Sequence, residues 1–337
     1  MTRCLLAIDS GGTKCDALVV RDDGTVLGWG RSDPPGQGQG RFATGSGRSS
    51  RAVLSAVTKA LGTTSYDELH IANRTDAFPL SLLPTHSTRI AVHPVSEYGA
   101  AWALVGETCG VVVLAGTGAF VHGKTRDGRH LHLDGLGPLL GDHGGGYHIG
   151  LLAIRAAAQS GWHPRRHTSL ADAIFRACGG RTGDELGTSL VHYMLAERDR
   201  SEIASLARIV NEEANAGDLI AGDILRTAAA EIAATTYDVV DNLGMANDEY
   251  ALVGTGSIAV KSPIYWDHLC MLVREFAPNL RPVKSDLPAI VGVAVSALQR
   301  MPDLDLAAVK ARLFETARTV FQSPPPPPGS GPKAESI

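Results

Sequence analysis

Short apolar runs that stop at glycine-rich turns organise the first part of the chain. Residues 5–8 are apolar and end at Asp9-Ser10-Gly11-Gly12-Thr13. Residues 17–20 follow, then Asp22-Asp23-Gly24, then 26–29. This order predicts a strand, a tight glycine turn, a second strand, an Asp-Gly hairpin and a third strand. Apolar positions three and four apart predict a helix over 51–61. Residues 90–95 read as a strand, and alanine-rich 98–105 as a helix.

From Val111 the pattern returns: an apolar run over 111–114, the turn Ala115-Gly116-Thr117-Gly118, a short strand, and Arg126-Asp127-Gly128. An offset of 104 carries Gly12 onto Gly116, Thr13 onto Thr117, Asp23 onto Asp127 and Gly24 onto Gly128. Matching order and spacing predict an internal duplication. Further on, helices are expected over 151–159 and 170–178. A long helical region spans 204–243, broken near Gly217 and Gly222. A strand over 251–253 runs into Gly254-Thr255-Gly256-Ser257, and helices are expected over 290–298 and 306–321. Residues 34–50 read as a long loop. The tail opens with five prolines, Pro324 to Pro328, and should be extended and poorly ordered. The expected division is an N-terminal unit over 1–108, a C-terminal unit over 109–321 and a tail over 322–337. The fold class is α/β.

Composition narrows the function. Lysine plus arginine total 31 against 35 acidic residues, a net charge of −4, which argues against nucleic-acid binding through a broad basic surface. A 44% hydrophobic share and 20% charged residues suit a chain with a sizeable core. Cys4, Cys15, Cys109, Cys178 and Cys270 are scattered with no CxxC pair, so neither a disulfide framework nor a zinc ribbon is expected. The N-terminus lacks a signal-peptide pattern, and no run reaches the roughly 18 apolar residues of a membrane span. The expectation is a cytoplasmic protein with no membrane partner.

The 38 glycines exceed the roughly 7% average share, and their placement carries the chemistry. Three apolar strands end in glycine–threonine turns: Gly11-Gly12-Thr13, Gly116-Thr117-Gly118 and Gly254-Thr255-Gly256. Such turns aim backbone N–H groups inward and form anion sites, with threonine adding a hydroxyl and Lys14 a charge. Asp9, at a strand end, is placed to hold hydrated Mg²⁺ beside phosphates. Ordinary hairpins would need the same glycines; three such turns, two of them in a duplicated unit, favour phosphate binding. Neither GxxxxGK[ST] nor a helix-opening GxGxxG is present.

AIDSGGTKCDALVVRDDGTVLG, VVVLAGTGAFVHGKTRDG, DGLGPLLGDHGGGYHIG, LVGTGSIAVKSP and PAIVGVAVSAL resemble, in order, the motifs of the actin-like ATPase and sugar-kinase superfold. The chain looks most like the N-acetylglucosamine kinase branch, grouped with the BadF/BadG/BcrA/BcrD ATPases. The resemblance runs from about residue 4 to about residue 300. It implies two duplicated ribonuclease-H-like domains around an ATP–Mg²⁺ cleft, with a small-molecule sugar as substrate; a homodimer is left open. It puts Gly11, Gly12, Thr13, Lys14, Gly116, Thr117 and Gly118 on the ATP phosphates. Gly254, Thr255, Gly256 and Ser257 fall on the adenosine, Gly141 and Asp142 on the sugar, and Asp9 on the metal. Glu97 stands where the family has its catalytic aspartate.

Some positions depart from that pattern. His143 replaces a glutamate, Leu136 replaces a tryptophan, and 36–48 lacks the asparagine that contacts sugar; Arg41, Thr44 and Arg48 are the polar residues there. His130 and His132 share a strand face, His143 and His148 flank a glycine turn, and His163 and His167 bracket a basic loop. None has HExxH spacing, and ordinary hydrogen-bonding histidines are expected. The expected activity is ATP-dependent phosphorylation of a hydroxyl of N-acetylglucosamine or a related amino sugar or hexose. One alternative is the activator-type ATPase with a bridging iron–sulfur cluster. That type carries a cysteine immediately before an AGTG-type turn, where this chain has Val113 and Leu114, with Cys109 further upstream. The other alternative is a non-catalytic sugar or nucleotide sensor.

Overall fold

The computed structural model describes residues 2–10, 14–32, 50–73, 89–196 and 198–322. Expectations for Gly11, Gly12, Thr13, the loop over 34–49 and the proline tail lie outside the described residues.

Two five-stranded sheets share one topology. The first contains β1 (Arg3–Ser10), β2 (Cys15–Arg21), β3 (Val26–Ser32), β4 (Glu68–Asn73) and β5 (Arg89–Pro94), in the order β3-β2-β1-β4-β5. The second contains β6 (Gly110–Ala115), β7 (Ala119–Lys124), β8 (His130–Asp134), β9 (Ala251–Thr255) and β10 (Arg281–Lys284), in the order β10-β9-β6-β7-β8. In each, an antiparallel three-strand meander is extended by two parallel strands. The duplication is therefore present in the topology as well as the turns.

The repeat is not gapless. Ser10 pairs with Cys15 across four residues, whereas Ala115 pairs with Ala119 across three. The offset of 104 holds from β2 onward, where Gly24 and Gly128 adopt φ of +91° and +92°. Before the turn it grows by one. Two strands carry no apolar run to betray them. β4 holds His70 and Asn73 in a buried strand, and β10 is four residues long with Pro282, tolerated because β10 lies at the sheet edge.

The helices are α1 (Ser50–Leu61), α2 (Glu97–Val105), α3 (Gly146–Gln159), α4 (Leu170–Ala177), α5 (Leu186–Leu195), α6 (Arg200–Asn215), α7 (Leu219–Leu243), α8 (Ser257–Lys261), α9 (Pro263–Phe276), α10 (Ala289–Leu298) and α11 (Leu306–Gln322). The long helical region breaks after α6, where Gly217 has φ +100°, but α7 runs on through Gly222.

β1 is buried on both faces and needs cover on both sides. α1 supplies one cover, packing Ala56, Val57 and Ala60 on Leu6, Ile8 and Val19. On the other face Leu5, Ala7 and Leu18 pack with α2, α10 and α11 through Ala100, Ile290, Val291, Ala294 and Leu313. The division at 108/109 therefore does not follow the packing: residues 289–322 return to complete the first core. α2 and α10 touch backbone to backbone, since a Cβ on Gly292 would lie 2.2 Å from the carbonyl oxygen of Ala100. The opposite side of α2 packs Ala101 and Trp102 against Val112, Ala251 and Val253 of the second sheet. α2 thus lies between the sheets, and α3, α6, α7 and α9 cover the outer face of the second.

Candidate functional site

The second glycine turn is built against its neighbours by backbone contact. Gly116 N–H donates to the Gly118 carbonyl at 2.9 Å. The loop leading into α3 backs onto the turn: Gly146 N–H donates to Gly116 O at 2.7 Å and Tyr147 N–H to Thr117 O at 3.0 Å. A Cβ on Gly118 would lie 2.6 Å from Asp142 Oδ2, so only glycine lets the turn rest on that carboxylate. β6 and β9 run parallel with Leu114 opposite Thr255, which brings residues 254–257 to the same edge. There Gly256, at φ +86°, would place a Cβ 2.4 Å from Ala115 O. The turn over 116–118, residues 254–257 and the loop over 141–147 form one concerted backbone surface.

Asp142 anchors that surface. It is buried and non-glycine, yet adopts φ +58°, a left-handed conformation costing roughly 1–2 kcal/mol. Asp134 holds it there, accepting Asp142 N–H at 2.6 Å on Oδ1 and His143 N–H at 3.2 Å on Oδ2. A Cβ on Gly141 would collide with the same Asp134 carboxylate. Asp142 Oδ1 accepts Ala119 N–H at 3.4 Å, and Oδ2 is paired with the guanidinium of Arg200, the first residue of α6. Nearby, His143 Nδ1 lies 3.5 Å from Glu231 on α7. His148 Nδ1 accepts Gly144 N–H at 3.2 Å, and burial pushes the His148 imidazole below its usual pKa.

The first sheet presents carboxylates at its corresponding edge. Asp9 and Asp16 are cross-strand partners, both buried, on the face that α2 and α10 cover. Arg31 grips Asp16 with Nε at 2.6 Å and Nη2 at 3.0 Å, and Lys14 Nζ sits 3.0 Å from it. The Asp16 hydrogen bonds, with the Asp16 and Asp9 charges, raise the Arg31 pKa further. Lys14, expected on a phosphate, is half exposed at this edge and pairs with Asp16. Glu97 opens α2, half-buried, three residues past the end of β5, with Ser96 capping the helix by accepting Gly99 N–H at 3.1 Å. β1, β4 and β5 are parallel, so Glu97 and Asp9 lie at the same edge of the first sheet. Arg41, Thr44 and Arg48 lie outside the described residues.

The chain matches the model of the BadF/BadG/BcrA/BcrD ATPase family over residues 6–297. It belongs to that family. It is 29% identical over 189 residues to an N-acetylmuramic acid/N-acetylglucosamine kinase of Clostridium acetobutylicum, covering 56% of this chain and 60% of the relative. It is 30% identical over 196 residues to an N-acetyl-D-glucosamine kinase of Dictyostelium discoideum, covering 57% and 60%. The match thus spans about three-fifths of the length of these curated relatives. Among solved structures, a candidate N-acetylglucosamine kinase from Chromobacterium violaceum superposes with a TM-score of 0.64 at 21% identity, over 88% of this chain and 99% of that one. The fold is that of the two-domain sugar kinases.

In this BadF/BadG/BcrA/BcrD-family chain the turns are legible in the sequence, while the side chains that hold them are not. Arg200 was invisible because its partner is 58 residues away; only the capping-box spacing of Asp199 and Glu202 marks the helix start beside it. Asp16 left a signal, a charge inside an apolar strand. Asp134 closes a strand in plain sight, but its two backbone contacts require the folded loop. His122, on the face of β7 that looks toward α2, lies under the Tyr98 ring with centroids 3.7 Å apart. Among the described residues, no helix is long and apolar enough to cross a membrane.

Proposed function

We propose that this chain transfers the γ-phosphoryl group of ATP to a hydroxyl of an amino sugar, N-acetylglucosamine or a close relative. The observation that carries the reading is the convergence of the turn over 116–118, residues 254–257 and the loop over 141–147 on one backbone surface. Phosphoryl transfer needs positioned phosphates, shielded charge and a carboxylate to receive the hydroxyl proton. In this reading Gly116, Thr117 and Gly118, with Gly11, Gly12, Thr13 and Lys14, bind phosphates. Gly254, Thr255, Gly256 and Ser257 border the adenosine. Gly141 and Asp142 present the sugar, with Asp142 oriented by Arg200 and the Ala119 N–H. Glu97 accepts the hydroxyl proton.

The residues fit a magnesium ion. Mg²⁺ takes hard oxygen ligands and keeps much of its water, so one or two carboxylates suffice beside phosphates. Asp9 is a buried carboxylate at a strand end, and its cross-strand neighbour Asp16 is gripped by Arg31. When bound, the ion would shield phosphate charge. The names of the two curated relatives support an amino sugar as substrate. We place the unit boundary so that 289–322 belongs with 1–108, following the core packing.

Position weighs against the activator-type alternative. Cys109 precedes β6 at the end opposite the turn, about 20 Å away at roughly 3.3 Å per residue. The test is an ADP-release screen over amino sugars, hexoses and anhydro sugars, with Glu97→Gln as control. Turnover on an amino sugar that vanishes in Glu97→Gln supports the reading. No sugar-dependent ADP release on any member of the panel overturns it.

A further inference from the structure

Glu97 belongs to the first unit and the turn over 116–118 to the second, so some contact has to fix one against the other. Three rings occupy the junction. Tyr98, the residue after Glu97, lies flat on His122 with 4° between the planes. Trp102, one helical turn further along α2, meets the edges of both, at 5.7 Å from Tyr98 and 5.5 Å from His122. His122 is 3% exposed, and its Nδ1 is buried without a hydrogen-bond partner among the described residues. A buried imidazole nitrogen left unsatisfied is a cost that needs a reason. On the second-unit side, His122 is rigidly connected to the turn: β7 begins at Ala119, and His122 is four residues, about 13 Å, from Gly118.

We propose that the Tyr98–His122 stack is a positioning device that sets the distance between Glu97 and the phosphate turn across the unit boundary. This rests on the reading of Glu97 as the base. Two rings stacked face to face between a helix start and a strand fix the separation of those two elements, because each buries its face against the other. Neither ring has to touch substrate. His122 acts through Tyr98 on the adjacent Glu97, so its removal should slow transfer while leaving both ligands bound. A displacement of about 1 Å can cost about a hundredfold in rate.

Steady-state kinetics on Tyr98→Ala, Tyr98→Phe, His122→Ala, His122→Phe and Glu97→Gln test this. Tyr98→Ala and His122→Ala should lower kcat about tenfold to a hundredfold, with KM for ATP and sugar within about threefold of wild type. Tyr98→Phe and His122→Phe keep a flat ring and should restore kcat to within about threefold. Tyr98 is half-buried, so Tyr98→Ala gives a folded readout even if His122→Ala does not fold. Wild-type kcat in Tyr98→Ala, or failure of both phenylalanine variants to rescue, overturns the positioning role. Wild-type kcat in Glu97→Gln overturns the base assignment instead, whatever the ring variants do.

Discussion

The Arg200–Asp142 pair gives the sharpest energetic prediction. Asp142 has a side chain 7% exposed and Arg200 one 19% exposed, so neither charge has ready access to water. Replacing Arg200 by alanine leaves a buried carboxylate whose remaining hydrogen-bond partner among the described residues, Ala119 N–H, is long at 3.4 Å. Breaking a buried pair by removing one partner typically costs about 3–5 kcal/mol. Residual solvent at Arg200 lowers the expectation here to about 2–4 kcal/mol. Asp142→Asn should cost less, because asparagine tolerates the left-handed backbone and keeps the contact to Ala119. The double variant should lose less than the sum of the singles, a coupling of about 1–3 kcal/mol. Urea unfolding of the four proteins measures this, and ATP titration reads the second consequence, weaker nucleotide binding as the carboxylate beneath Gly118 shifts. A loss under about 1 kcal/mol in Arg200→Ala, together with additive single variants, would refute the claim that this pair holds the turn.

Three further outcomes are expected. Gly292→Ala should destabilise by about 1–3 kcal/mol in chemical unfolding despite alanine's better helix propensity, because the new methyl meets a backbone oxygen of α2 that cannot swing away. Gly256→Ala should weaken ATP binding and lower the Tm, since its φ of +86° and a Cβ 2.4 Å from Ala115 O are both unfavourable; unchanged ATP affinity would contradict the assignment of residues 254–257. The third concerns pH. Burial, reinforced by His132, His130 and Lys124, pushes the His122 pKa down from 6.5 to about 4. The unfolded chain therefore takes up this proton first as pH falls, so stability drops from about pH 6.5 to about pH 4 by up to about 3 kcal/mol. His122→Phe should remove that part of the slope in denaturant titrations at pH 4 and pH 7, and an unchanged slope would contradict it.

Local signals made much of this fold legible. The strand–turn–strand units announce themselves because short apolar runs and Asp-Gly hairpins are local, and the repeat adds a second copy to compare. β4 and β10 were not legible: one mixes buried polar residues into its pattern, and the other carries too few apolar residues to show a period. The return of α10 and α11 to the first sheet was also hidden. Their apolar faces read the same whichever sheet they cover; only the bare second face of β1 demands them. In the candidate site, glycines were visible as residue types, while their reasons, such as Gly118 resting on Asp142, appear only in three dimensions. Arg200 and His122 illustrate the same limit, each defined by a partner distant in the sequence.

Phosphoryl transfer onto an amino sugar at this glycine-built surface leaves a product signature. Phosphorus NMR of a reaction containing purified protein, ATP, Mg²⁺ and N-acetylglucosamine tests it most directly. One sugar phosphate should form for each ADP, with the rate falling about a hundredfold or more in Glu97→Gln. ADP accumulating with inorganic phosphate and no sugar phosphate, for N-acetylglucosamine and every other sugar in the panel, would contradict it.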